Sequence, residues 1–222
     1  MKKILAALIL TTFTAVASTA SATAITVTTA QSTFDRGVNN QGWWSAVASN
    51  PSTDSNDNYF TGNNGANEVR SFFTFDLSQI AGTITSATMR IARGTQNAAV
   101  SLNLWDVTTA ASVVNNNVGY SSAIFADLGT GTKYGSYAVA TGGSTDVLNF
   151  KLNAAALQDM LHKGYFTIGG SVNGATGQYL FGFSGGSPVS LDLQVSDVPE
   201  PASIALFGLG LAGLLARRRR NT

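Results

Sequence analysis

Glu68 is the only glutamate between residues 23 and 198, so it stands out as a candidate acid. Asp54, Asp57 and Asp76 lie in the same part of the chain. Glycoside hydrolysis needs two carboxyl groups facing each other across the scissile bond. The spacing of these four sets no such pair, and Asp76 reads better as a strand end that bonds the turn amides after it. His162 is the single histidine. It falls at the end of a helical stretch and reads as a surface residue beside the last carbonyls. The chain contains no cysteine, which excludes a thiol nucleophile and a Cys-based zinc site.

Two other groupings point to binding. Asp54, Asn56 and Asp57, followed by Asn58, put hard oxygen ligands in one loop and suit calcium, although the glycine and terminal glutamate of an EF-hand are missing. No other cofactor is expected. Trp43, Trp44 and Tyr59 are candidates for stacking on sugar rings, whose C–H faces suit aromatic surfaces. Trp43 and Trp44 are adjacent, so on a strand one of them turns away from the core. Tyr179 is a further aromatic candidate. Trp105 follows a strand of inward leucines and reads as structural at a strand end.

The elements that hold these residues are mostly strands. Apolar residues alternate with polar ones at Phe73, Phe75, Leu77; at Ala87, Met89, Ile91; at Val100, Leu102, Leu104; at Leu148, Phe150, Leu152; at Tyr179, Phe181, Phe183; and at Leu191, Leu193, Val195. A period of two with one apolar face predicts half-buried antiparallel strands. Weaker strand signals cover Ile25 to Thr29, Trp43 to Ala48, Ile124 to Leu128, Tyr134 to Ala140 and Phe166 to Gly170. Gly, Asn, Ser and Asp clusters between them supply turns. The expected fold is all-β: a single antiparallel sandwich, jelly-roll-like. One helix is expected from Ala154 to His162 or Lys163, capped by Asn153 and stopped by Gly164 in the left-handed conformation.

Both ends read as targeting signals. Lys2 and Lys3 precede an apolar stretch from Ile4 to Val16, and small residues at Ala20-Ser21-Ala22 or Ala22-Thr23-Ala24 suit signal peptidase, so residues 1–24 are assigned to a signal peptide. Residues 25–197 then form the sandwich. Residues 198–222 divide into Val198-Pro199-Glu200-Pro201, an apolar run from Ala202 to Ala216, and Arg217, Arg218, Arg219 and Arg220. As a helix the run would span about 22 Å, and the arginines act as a stop on the cytoplasmic side. Set apart from both ends, the body holds seven basic and eleven acidic residues. The mild net basicity belongs to the signals, and the body has no nucleic-acid footprint.

The Pro199-Glu200-Pro201 motif, the Gly/Leu/Ala-rich run and the terminal arginines together resemble the PEP-CTERM sorting signal. That resemblance implies anchoring in the inner membrane, processing by an exosortase, and delivery to the cell surface or beyond, beside exopolysaccharide. Arg70-Ser-Phe-Phe-Thr-Phe-Asp-Leu-Ser-Gln-Ile80 with Gly82 to Ile91 resembles secreted β-sandwich modules of the DNRLRE type, with Met89 where leucine is usual. Three readings of function follow. The first is a non-enzymatic matrix or cell-envelope protein contacting exopolysaccharide. The alternatives are a carboxylate-dependent polysaccharide-active enzyme and a calcium-binding adhesion module.

Overall fold

The computed structural model describes residues 22–30, 33–34, 39–50, 58–63, 65–94, 96, 98–161, 164–182 and 187–196. Residues 1–21 of the assigned signal peptide, the sorting segment, Asp54, Asn56, Asp57 and His162 lie outside the described residues, whereas Ala22 to Ala24, also assigned to the signal peptide, belong to the first strand of the sandwich. Among the described residues eleven strands run in chain order: β1 Ala22–Thr28, β2 Gln41–Trp44, β3 Thr61–Asn63, β4 Glu68–Asp76, β5 Thr83–Ala92, β6 Val100–Asp106, β7 Lys133–Val139, β8 Val147–Lys151, β9 Tyr165–Asn173, β10 Tyr179–Leu180 and β11 Ser190–Ser196. Three helices interrupt them among the described residues: α1 Ala111–Val114, α2 Ser122–Asp127 and α3 Ala154–Met160.

The strands form two antiparallel sheets. The smaller has the order β1-β11-β5-β8; the larger runs β10-β3-β4-β9-β6-β7, with β2 also paired to β4. The alternation in the sequence fixes which face of each strand is buried. Phe73 and Phe75 of β4, Leu102 and Leu104 of β6, and Phe166 and Ile168 of β9 meet Met89, Ile91, Leu191 and Leu193 of the smaller sheet in the main core. Each fully buried side chain of this size contributes about 1.5–3 kcal/mol. At the centre, Phe73 stands nearly perpendicular to Tyr59 and Phe181, with ring centroids 5.3 and 6.4 Å away.

Helix α3 closes one side of the sandwich. The Asn153 side chain caps it, accepting hydrogen bonds from the Ala155 and Ala156 N–H groups at 3.0 and 3.2 Å. Its end differs from the sequence expectation. Leu161 closes the helix in right-handed geometry, and Gly164 is not among the positive-φ glycines; its carbonyl instead accepts the Leu77 N–H at 2.7 Å. The Tyr134 hydroxyl donates to Asp159 Oδ2 at 2.6 Å and joins β7 to this helix. Burial, reinforced by that carboxylate, pushes the phenol well above the usual tyrosine range.

The larger sheet also carries a cover on its outer face, which the strand reading does not anticipate. The segment Ile124 to Leu128, read as a strand, lies in α2 and its cap. The Ser121 side chain accepts the Ile124 N–H at 3.2 Å and starts the helix there. A five-residue apolar run has no period long enough to separate strand from helix, and the cap decides. Phe72 and Trp44 point outward from β4 and β2 and pack with Val107, Val114, Ile124 and Leu128 in a second core. Arg70 clamps α2 down: its Nη1 donates to the Phe125 carbonyl at 2.8 Å, and its guanidinium carbon lies 4.0 Å from the Phe125 ring centroid. Thr108 and Thr109 donate backbone and hydroxyl hydrogen bonds to the Asp127 carboxylate, tying the entry of this cover to its exit. Burial pushes the Asp127 pKa upward, but these four bonds outweigh it and hold the group below its ordinary value.

Candidate functional site

The helical cover stops at Leu128, above Gly169 of β9. Beyond that line the outer face of the larger sheet is partly exposed among the described residues, and the pairing registers set out what lies on it. Trp105 of β6 stands between Gly169 and Lys133; Asn103 stands between Ser171 and Ser136; Ser101 stands between Asn173 and Ala138. Parity, with the β7 bulge at Tyr134 that brings Lys133 to the side of Ser136, puts all nine on the face opposite Leu102, Leu104, Ile168 and Val172. The result is a grid of side chains about 4.8 Å apart across strands and about 6.8 Å along them.

The grid is polar apart from Trp105, Ala138 and Gly169. Ser101, Lys133, Ser136 and Asn173 are exposed and Trp105 is half-buried, whereas Asn103 and Ser171 between them are buried, at 3% and 5% exposure. The indole is held in place from below, because Nε1–H donates to Ser171 Oγ at 2.8 Å. Lys133 Nζ lies 4.6 Å from the ring centroid, a cation over the aromatic surface. The Ser136 hydroxyl donates to Asn103 Oδ1. A shallow cavity of about 410 Å³ continues the face past Ser101, Ala138 and Asn173 to Ala99 and Ala140. Hydroxyl and amide groups flanking a fixed indole can hydrogen-bond a hydroxyl-rich ligand while the ring covers an apolar patch of it.

The stacking residues expected from the sequence are placed differently. Trp44 is 3% exposed and Tyr59 0%, so neither offers a ring face to a sugar. Trp44 does turn away from the main core, as adjacency requires, but α1 covers that side and the Val114 carbonyl takes its indole N–H at 2.9 Å. Tyr59 is locked edge-on between Phe73 and Phe181. Trp43 is half-buried opposite Ser71 near the sheet edge, apart from the grid. Tyr179 stacks on Phe60, with ring centroids 4.9 Å apart. The indole on an open sheet face is Trp105, which the sequence reading set aside. The signal was present: Ser101, Asn103 and Trp105 share one parity, opposite Leu102 and Leu104.

The acidic candidates are engaged locally. Glu68 opens β4 and sits 3.6 Å from Arg70. Asp76 closes that strand and accepts the Ser78 N–H at 2.9 Å, the turn expected for it. Among the described residues no group of three or more His, Cys, Asp or Glu side chains could hold a metal ion. Also among them, no helix is long and apolar enough to cross a membrane, and the run from Ala202 to Ala216 lies outside that description.

These features define an all-β sandwich protein with one covered and one open stretch on its larger sheet. A family model described as the PEP-CTERM protein-sorting motif matches residues 197–220. The chain therefore carries a PEP-CTERM protein-sorting motif at its C-terminal end, and that motif implies export with processing by an exosortase. A comparison with curated proteins finds no match.

Proposed function

We propose that this protein is a non-enzymatic component of the cell surface or extracellular matrix that contacts exopolysaccharide through the open face of β6, β7 and β9. The observation that carries the reading is Trp105: a half-buried indole fixed by Ser171 and surrounded by hydroxyl and amide side chains, on a chain bearing an export signal. A polysaccharide presents hydroxyl rims and C–H faces, and this grid has groups for both.

Export would remove both ends. Signal-peptide cleavage after Ala22 leaves Thr23 and Ala24 in β1, where they pair with Val195 and Gln194. Cleavage after Ala24 would strip those partners from β11, so the folded strand favours the earlier site. Intact-mass measurement of the exported protein is expected to give an N-terminus at Thr23 and loss of Arg217 to Arg220. Recovery of the unprocessed arginine tail from the cytosol would end the export reading.

Binding is tested by affinity electrophoresis of the exported protein through gels containing extracted exopolysaccharide. The wild type is expected to be retarded, and Trp105→Ala to bind about tenfold more weakly, roughly 1.4 kcal/mol. Equal migration with and without the polymer would refute glycan contact.

A further inference from the structure

β1 forms one margin of the smaller sheet and, among the described residues, pairs on one side only, with β11. The hydrogen bond from the Thr29 N–H to the Val189 carbonyl sets the phase of that ladder. Counting back by twos, Val27, Ile25 and Thr23 direct their backbone groups at β11. Thr28, Thr26 and Ala24 direct theirs away from it. The side chains divide in the same way. Ile25 and Val27 are half-buried against the main core, whereas Ala24 and Thr26 lie exposed on the outer face.

Edge strands are commonly guarded by charge, proline or a bulge. β1 has none of these: its sequence is Ala-Thr-Ala-Ile-Thr-Val-Thr, in unbroken register with β11. The opposite margin is protected. β8 ends on Lys151, whose carbonyl accepts the Tyr137 hydroxyl from β7 of the other sheet.

We propose that β1 pairs antiparallel with β1 of a second copy, about a two-fold axis through Ile25. This register engages all seven residues of the strand in the full chain, and Thr23 to Val27 once Ala22 has been removed. It sets Ala24 opposite the partner's Thr26, so the outward N–H and carbonyl groups bond each other. On the core-facing side it sets Ile25 on the partner's Ile25 and Thr23 on the partner's Val27, covering apolar side chains that are half-exposed in one copy. No charged side chain of β1 enters the contact. The two four-stranded sheets become one continuous sheet, and two-fold symmetry closes the assembly at a dimer. A contact one strand wide is smaller than a standard interface, so a dissociation constant on the order of micromolar or weaker is expected.

The full chain in detergent, with no polysaccharide added, provides the test, so the outcome is independent of glycan binding. The protein has no cysteine, which lets a single introduced one report the register. The axis makes Ile25 a non-hydrogen-bonded pair with itself, Cα atoms about 4.5 Å apart, within disulfide reach. Under mild oxidation Ile25→Cys is expected to give a covalent dimer. Thr23→Cys and Val27→Cys are expected to stay monomeric alone and to cross-link when mixed. No cross-link at position 25, or equal cross-linking at all three positions, would overturn the proposal. Ala24→Lys supplies a second reading, because its side chain is exposed and off the core. Sedimentation velocity is expected to show at least tenfold weaker association with an unchanged melting temperature. Unaltered association of Ala24→Lys would equally overturn it.

Discussion

Replacing Gly169 with valine is expected to detach the helical cover from the larger sheet. A Cβ at this position would lie 2.6 Å from the Leu128 carbonyl oxygen and 2.8 Å from the Leu128 Cα. Both are backbone atoms, so no rotamer change relieves the contact. Either β9 or the end of α2 must move. β9 is held by β4 on one side and β6 on the other, so α2 is the part that yields. Its displacement would withdraw Ile124 and Leu128 from Phe72 and Trp44 and stretch the Arg70 bond to Phe125. Overpacking of this kind costs about 1–3 kcal/mol or more, and a branched side chain belongs at the upper end. Gly169→Ala should show a milder version of the same loss. The expected readout is a lower urea midpoint together with faster amide exchange in residues 122–128. A Gly169→Val protein as stable as the wild type would show that the cover does not depend on this close approach.

Phe73→Ala is expected to cost the main core about 3–5 kcal/mol, the range for removing a buried phenylalanine ring. Phe73 is fully buried and contacts both Tyr59 and Phe181 edge-to-face. Removal leaves a void that those two rings cannot fill. Tyr59 also packs against Phe181, at a centroid distance of 5.6 Å, and the Tyr59 hydroxyl reaches the Ala92 carbonyl at 3.5 Å. For a domain of this size the loss corresponds to a fall in melting temperature on the order of 10 °C. Phe73→Leu keeps most of the volume and should lose much less. Calorimetry showing equal losses for the two variants would mean that ring packing at this site is not what the core depends on.

Much of the sandwich was legible because a sheet with one buried face writes itself into the sequence with period two. Met89, Leu102, Phe150 and Leu191 are buried as their parity requires. Local chemistry was legible as well: Asn153 caps α3 and Asp76 closes its turn. The strand reading of Tyr179 to Phe183 fails at Phe181, whose φ of +69° ends β10 after Leu180. The site residues fared differently. Trp43 and Trp44 drew notice as an adjacent pair, but adjacency tells only that they point to opposite faces. It carries no information about what lies over each face.

The amino-acid order alone determined the alternating strands, the Asn153 cap and the C-terminal sorting motif, because each depends on neighbours within a few residues along the chain. Which side of the larger sheet meets solvent was decided only by the tertiary structure. α1 and α2, drawn from residues 111–127, fold over Phe72 and Trp44 of distant strands and leave Trp105 beside an uncovered, polar face. That outcome rests on long-range burial of apolar surface, a property of the assembled sheet that no local pattern encodes.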